Sequence, residues 1–181
     1  MVEPLSAYSV LQTLAKSSLS SAQQLPAQID VVPQWSGVGF SLLGFDFVVP
    51  MEELEEMLEV PPYTKLPSVH HWVKGVSNVR GRLLPLFDLA AFFSGSLIGN
   101  KKYQRLLVLD NQHIYAGLWV DRVFGMQYFS VDTKNAQTPS DVPARVAEFV
   151  DGFYEMDGRQ WMVFRPQALL QDTEFLNVAV A

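Results

Sequence analysis

From Trp35 onward the chain is cut into short apolar alternations by glycine and Asx turns, and this punctuation restricts its fold more than any other feature. Val38, Phe40 and Leu42 alternate with smaller or polar residues, Gly44 interrupts, and Phe45, Phe47 and Val49 resume the same period. A period of two sends successive side chains to opposite faces of an extended segment, so the pattern predicts a β-hairpin. GVSNVRGRLLPLFDL predicts a second, turning between Asn78 and Gly81. Pro85 argues for an edge strand there, because it has no N–H to give to a ladder. QRLLVLDNQHIYAGLWVD predicts a third, turning at Asp110 and Asn111, and AEFVDGFYEMDGRQWMVF a fourth, turning at Asp157-Gly158. Hairpins at this spacing without long intervening helices indicate barrels or a sandwich, not a doubly wound sheet, so the class is all-β with minor helix.

Two short helices are expected inside this framework. PMEELEEMLEV places Met51, Leu54 and Leu58 on one helical face after Pro50, and PQALLQ begins with Pro166 at a favourable first helical position. Residues 1–34 differ in composition. SVLQTLAKSSLSSAQQLPAQ is rich in Ser, Gln and Ala, and Val10, Leu11 and Leu14 fall at helical spacing before Pro26 and Pro33. An N-terminal extension with one short helix is expected over 1–34, and a single domain over 35–181. Glu3 and the lack of an early Lys or Arg argue against a secretory signal. FSLLGFDFVVPM is broken by Ser, Gly, Asp and Pro, far short of the ~20 apolar residues that span a bilayer. A cytoplasmic protein with no membrane insertion is expected.

Little in the chain suits catalysis. A formal charge of −6 sets most of the surface against a phosphate backbone, so nucleic acid is not an expected partner. There is no cysteine, which removes disulfides, zinc thiolates and thiol nucleophiles. Of the three histidines, His70 and His71 would leave an extended segment on opposite faces, and His113 sits beside a hairpin turn; no metal or general-base role is expected for them. No phosphate-binding glycine loop or nucleophile elbow occurs. Glu52, Glu53, Glu55, Glu56 and Glu59 could be imagined as the carboxylates of a small hydrolase or as a cation site, but a solvated helical face explains them more simply. No catalytic residue, metal or cofactor is therefore expected. Arg80 is more informative: it stands beside Gly81 on a turn between apolar strands with nothing obvious to pair with nearby. It is either an exposed turn residue or a side chain that a rigid hairpin presents to another protein, arginine being the charged type enriched at interfaces.

The run Gly75-Val-Ser-Asn-Val-Arg-Gly-Arg-Leu-Leu-Pro-Leu-Phe-Asp-Leu89 closely resembles the signature G-V-x-N-L-R-G-x-x-x-P-x-x-D-L of CheW-like chemotaxis adaptors. PPYTKLPSVHHWVKG is similar to that family's lead-in, GLWVDRVFG to its later strand and turn, and GFYEMDGRQWMVFRPQALL to its closing hairpin and helix. The resemblance covers about Trp35 to Leu170. Trp35, Trp72 and the N-V-R-G variant look like the PilI branch, which serves type IV pili and twitching motility; His70 and Val79 depart from the usual Pro and Leu.

The resemblance implies two intertwined five-stranded SH3-like β-barrels. It also implies a non-catalytic adaptor coupling the cytoplasmic tip of a methyl-accepting chemoreceptor to the regulatory domain of a CheA-like histidine kinase, at receptor arrays on the inner face of the membrane. An adaptor of a flagellar or other array is the nearest alternative. Gly75, Asn78, Arg80 and Gly81 fall on the family's coupling hairpin, and Leu54, Glu56 and Met57 on a stretch bordering its partner surfaces. Leu54 and Met57 could equally pack inward.

Overall fold

The computed structural model describes residues 7–21, 33–110, 115–169 and 171–180. The chain divides into two compact units, Met1–Val31 and Val32–Ala181. The first contains helix α1 (Ala7–Ser21), which carries Val10, Leu11 and Leu14. No helix among the described residues is long and apolar enough to cross a membrane.

Among the described residues the second unit holds ten strands: β1 (Gln34–Leu42), β2 (Phe45–Pro50), β3 (Glu56–Glu59), β4 (Val73–Val79), β5 (Arg82–Asp88), β6 (Arg105–Asp110), β7 (Tyr115–Val120), β8 (Arg122–Ser130), β9 (Val150–Met156) and β10 (Arg159–Phe164). They form two five-stranded sheets, ordered β8-β1-β2-β10-β9 and β3-β6-β7-β5-β4. Both use the same plan, a central parallel pair (β2 with β10, β5 with β7) flanked by antiparallel neighbours. The second sheet is built wholly from chain lying between β2 and β8, which is what intertwines the two barrels.

Alternation along the strands explains how one chain fills three cores. Phe47 and Val49 of β2 point into the main core between the sheets, whereas Val48 points into the first barrel with Phe129, Tyr154, Trp161 and Val163. Leu107 and Leu109 of β6 likewise join the main core, and Leu106 and Val108 fill the second barrel with Leu84 and Leu86. Strands buried on both faces must read as continuous apolar runs, which is why RLLVLD lacks a polar stripe. Aromatic rings dominate the main core: Phe40 stacks on Phe47 at 5.3 Å, and Trp72, 1% exposed, stacks on Phe175 at 5.6 Å.

The hairpin turns follow the sequence. Leu43-Gly44, Arg80-Gly81 and Asp157-Gly158 all have positive φ at both residues, the geometry whose twist matches that of the flanking strands. The turn placed at Asp110 and Asn111 falls partly outside the described residues; Asp110 is the last residue of β6, and Asn111 and His113 lie outside them. The short helices α2 (Leu89–Phe92), α3 (Ala144–Ala147), α4 (Pro166–Leu169) and α5 (Thr173–Leu176) complete the unit, α4 starting at Pro166 as its sequence predicts.

Three expectations need correction. The helix predicted over PMEELEEMLEV is a 3-10 turn at Met51–Glu53 followed by β3, which pairs with β6 from Glu56↔Val108 to Glu59↔Arg105. Leu54, Leu58 and Val60 also fit a period of two, and Pro61 and Pro62 close off any longer helix. A helix that short has little stability of its own against pairing with an apolar strand. Pro85 does not mark an edge, since β5 lies between β4 and β7. Its ladder partner Val76 exchanges hydrogen bonds with Thr64, so the Val76–Pro85 pair is a non-hydrogen-bonded one and the missing donor faces away from β4. The parallel pairing with β7 begins only at Leu86, so no ladder bond is lost. Finally, His70 and His71 occupy the bend before β4. His70 stacks on Trp72 at 5.7 Å, and its backbone N–H donates to the Val178 carbonyl at 3.0 Å.

Asp121 joins the two barrels. It is buried, and its carboxylate accepts the backbone N–H of Leu43 at 2.9 Å, from the β1–β2 turn, and that of Ile98, from the loop before β6. Burial raises its pKa, against the opposing pull of those two donors. Asp121→Ala leaves both donors unmatched and is expected to destabilise the unit by about 1–3 kcal/mol. A urea titration checks this, and an unchanged midpoint would contradict the tie.

Candidate functional site

The site is assembled where the β4–β5 hairpin meets β3. Asn78 shapes the turn, its Oδ1 accepting the Gly81 N–H at 2.9 Å. Arg80 and Gly81 have φ of 53° and 83°. Nothing lies within 4 Å of a Cβ built on Gly81, so glycine is required there by φ and not by space. The turn lifts Arg80 into solvent with its side chain 75% exposed, while one guanidinium nitrogen bonds the Glu56 carboxylate at 2.5 Å. Arg80 thus has a partner after all, 24 residues earlier in the chain. β3 and β4 are opposite edges of the same sheet, so this ion pair spans the seam where the second barrel closes. The Thr64–Val76 backbone pair closes the same seam deeper in.

Arg82 extends the charged surface. It pairs with Asp110 and lies over the Tyr115 ring at 3.9 Å from its centroid. The hydrogen bond to Asp110 holds its pKa above the ordinary value. Leu83, 67% exposed, stands beside them and is a residue that reading the sequence missed. Its signal was present: in Leu83-Leu84 only one of two neighbours can point into the barrel, and Leu84 does.

The structure separates the other candidates from this surface. Leu54 is only 8% exposed and belongs to the main core, so of the two readings open for it the inward one holds. Met57 is exposed, but it follows Glu56 on a strand and so points to the opposite face, where it lines a groove with Tyr103, Arg105, Arg122 and Val123. Gly75 is buried in a bulge, where its missing Cβ admits the Thr64 carbonyl; it shapes the barrel and touches no surface. Asp88 of the same run caps α2 by accepting the Ala91 N–H at 2.9 Å and pairs with Lys74 at 2.9 Å, which accounts for it structurally. The surface left is Glu56, Asn78, Arg80 and Gly81, with Leu83.

The glutamates do not converge on a reactive centre. Glu56 is held by Arg80 and Glu59 by Arg105 at 3.4 Å, while the Glu53 Oε2 is buried without a hydrogen-bond partner. Burial, then the neighbouring Glu52, raises the Glu53 pKa. No group of three or more His, Asp or Glu side chains among the described residues could hold a metal ion. The arrangement is an exposed charged turn tied back to its own barrel by the Arg80–Glu56 pair.

Comparison with known proteins agrees with this architecture. Residues 36–174 match the CheW-like domain. The chain is 48% identical to Protein PilI of Pseudomonas aeruginosa over 159 residues, 88% of each protein. It is 25% identical to the chemotaxis protein CheW of Thermotoga maritima over 130 residues, 72% of this chain and 83% of that protein. The crystal structure of the scaffolding protein TtCheW from Thermoanaerobacter tengcongensis superposes with a TM-score of 0.68 at 22% identity, covering 81% of this chain and 98% of that one. With its two intertwined five-stranded barrels and the signature run on the β4–β5 hairpin, the chain belongs to the CheW-like domain family.

Proposed function

We propose that this protein is a non-catalytic adaptor coupling the cytoplasmic tip of a methyl-accepting chemoreceptor to the regulatory domain of a CheA-like histidine kinase, in the chemosensory system that governs type IV pili and twitching motility. The observation that carries the reading is the Arg80–Glu56 pair, exposed on a two-residue turn in a chain of this family. A strained turn bonded to its own barrel presents Arg80 with little entropy left to lose on binding. Likeness to Protein PilI supports the pilus system over a flagellar one. In this reading the protein works in the cytoplasm at receptor arrays, without inserting into the membrane, binding nucleic acid, or using a cofactor or metal.

Arg80→Glu tests the site. An exposed charge swap moves stability by under ~0.5 kcal/mol, and an exposed ion pair is worth roughly 0.2–1 kcal/mol, so the variant should melt within a few degrees of the parent. It should nonetheless coprecipitate much less of the receptor tip. Loss of the thermal transition would make Arg80 a structural residue, and full coprecipitation by the folded variant would remove it from the receptor surface.

A further inference from the structure

A cavity of about 310 Å³ lies where the exit of β2, the end of α3 and the corner between α4 and α5 meet. Glu53 reaches it from the 3-10 turn after β2, and the buried ring of Phe149 lines it beside Glu148, Arg165 and Asp172. Most of these polar groups are already engaged. Glu148 and Asp172 are both held by Arg145, each at 2.7 Å, and Asp172 also accepts the Phe175 N–H at 2.8 Å. Arg165 donates to the Glu148 carbonyl at 2.8 Å.

Glu53 is the exception. Its Oε2 is buried with no hydrogen-bond partner, and no Lys or Arg pairs with its carboxylate among the described residues. A buried carboxylate without a donor or a counter-charge is costly, so an orphaned oxygen of this kind calls for an explanation. The space beside it falls at the small end of the ~300–1,000 Å³ typical of ligand sites.

The lining states what would satisfy that oxygen. An anion would meet three carboxylates, with Arg165 as the cation of the lining turned onto a carbonyl. A bare metal ion is poorly served, since no group of three His, Asp or Glu side chains among the described residues could hold one. A cationic nitrogen donor suits Glu53. Glu148 and Asp172 suit a second one, because a carboxylate has about four lone-pair sites and Arg145 does not use them all. We propose that this cavity binds a short aliphatic diamine, with one ammonium on the Glu53 carboxylate, the methylene chain along Phe149 and the other ammonium against Glu148 and Asp172. Filling it would fasten the turn that leads into β3, the strand that carries Glu56.

Titration calorimetry of the full chain with 1,4-diaminobutane at low salt tests this, and a saturable one-to-one isotherm is expected. Glu53→Gln keeps the size of the side chain and removes its charge. It should weaken binding about tenfold or more, yet melt no lower than the parent, because it also removes an unpaired buried charge. Gln171, exposed on the rim, provides a second variant: Gln171→Lys supplies an ammonium from the protein itself and should weaken binding as much. 1-Aminobutane, charged at one end only, should bind about tenfold or more weaker than the diamine. No saturable binding, equal binding by the folded variants, or equal affinity for 1-aminobutane would overturn the proposal. So would displacement of the diamine by an equal concentration of magnesium chloride, which would reveal only diffuse attraction to an acidic chain. Neither receptor nor kinase enters the titration, so this site and the adaptor reading can fail independently.

Discussion

Gly75→Ala is expected to destabilise the Val32–Ala181 unit by about 3 kcal/mol or more, combining ~1–3 kcal/mol for a backbone conformation that a side chain resists with ~1–3 kcal/mol for overpacking. Gly75 has a φ of 140°, and a Cβ there would lie 2.0 Å from the Thr64 carbonyl oxygen and 2.8 Å from its carbon. Relief is blocked, because Thr64 and Val76 exchange two backbone hydrogen bonds of 2.8 and 2.9 Å that hold the approach in place. The other barrel uses the same device. Gly152, at φ 77°, admits the Asn135 carbonyl to within 2.1 Å of its absent Cβ, and Asn135 exchanges two 2.8 Å bonds with Phe153. Gly81→Ala is the control, since its φ is positive but the space around it is open; about 1 kcal/mol is expected. Chemical denaturation of both variants measures the difference, and equal losses would show that the close approach at Gly75 carries no weight.

Leu54→Ala should lose about 2–5 kcal/mol, as buried leucines do when truncated into a cavity. Leu54 lies in the main core behind the 3-10 turn at Met51–Glu53, so its truncation opens space between the barrels. Met57→Ala, three residues on, removes an exposed side chain and should change stability by less than ~0.5 kcal/mol. Kinase binding by Leu54→Ala should fall only as far as unfolding removes folded protein. A variant that melts like the parent yet loses the kinase would place Leu54 on the surface after all.

The contrast between these two residues shows what the sequence makes legible. Hairpins announce themselves locally, because a period of two and a positive-φ turn are both written in neighbouring residues, as at Leu43-Gly44 and Asp157-Gly158. The segment from Met51 to Glu59 does not, since its apolar positions satisfy helix and strand alike and only its pairing with β6 decides. Arg80 and Glu56 could each be singled out from the sequence, but their union depends on the closure of a barrel and no local signal carries it. Gly75 reads as part of a surface motif because it stands in the same run as Arg80, yet its role is set by a backbone eleven residues away.

Coupling is the central claim, and kinase autophosphorylation measures it most directly. Membranes bearing the chemoreceptor, the purified histidine kinase and labelled ATP are combined with and without this protein, with Arg80→Glu in parallel. The account predicts that receptor stimulus changes the phosphorylation rate only when the folded protein is present, and that Arg80→Glu restores little of that control. A kinase that answers the receptor equally well without the protein, or that ignores the receptor in its presence, would contradict it.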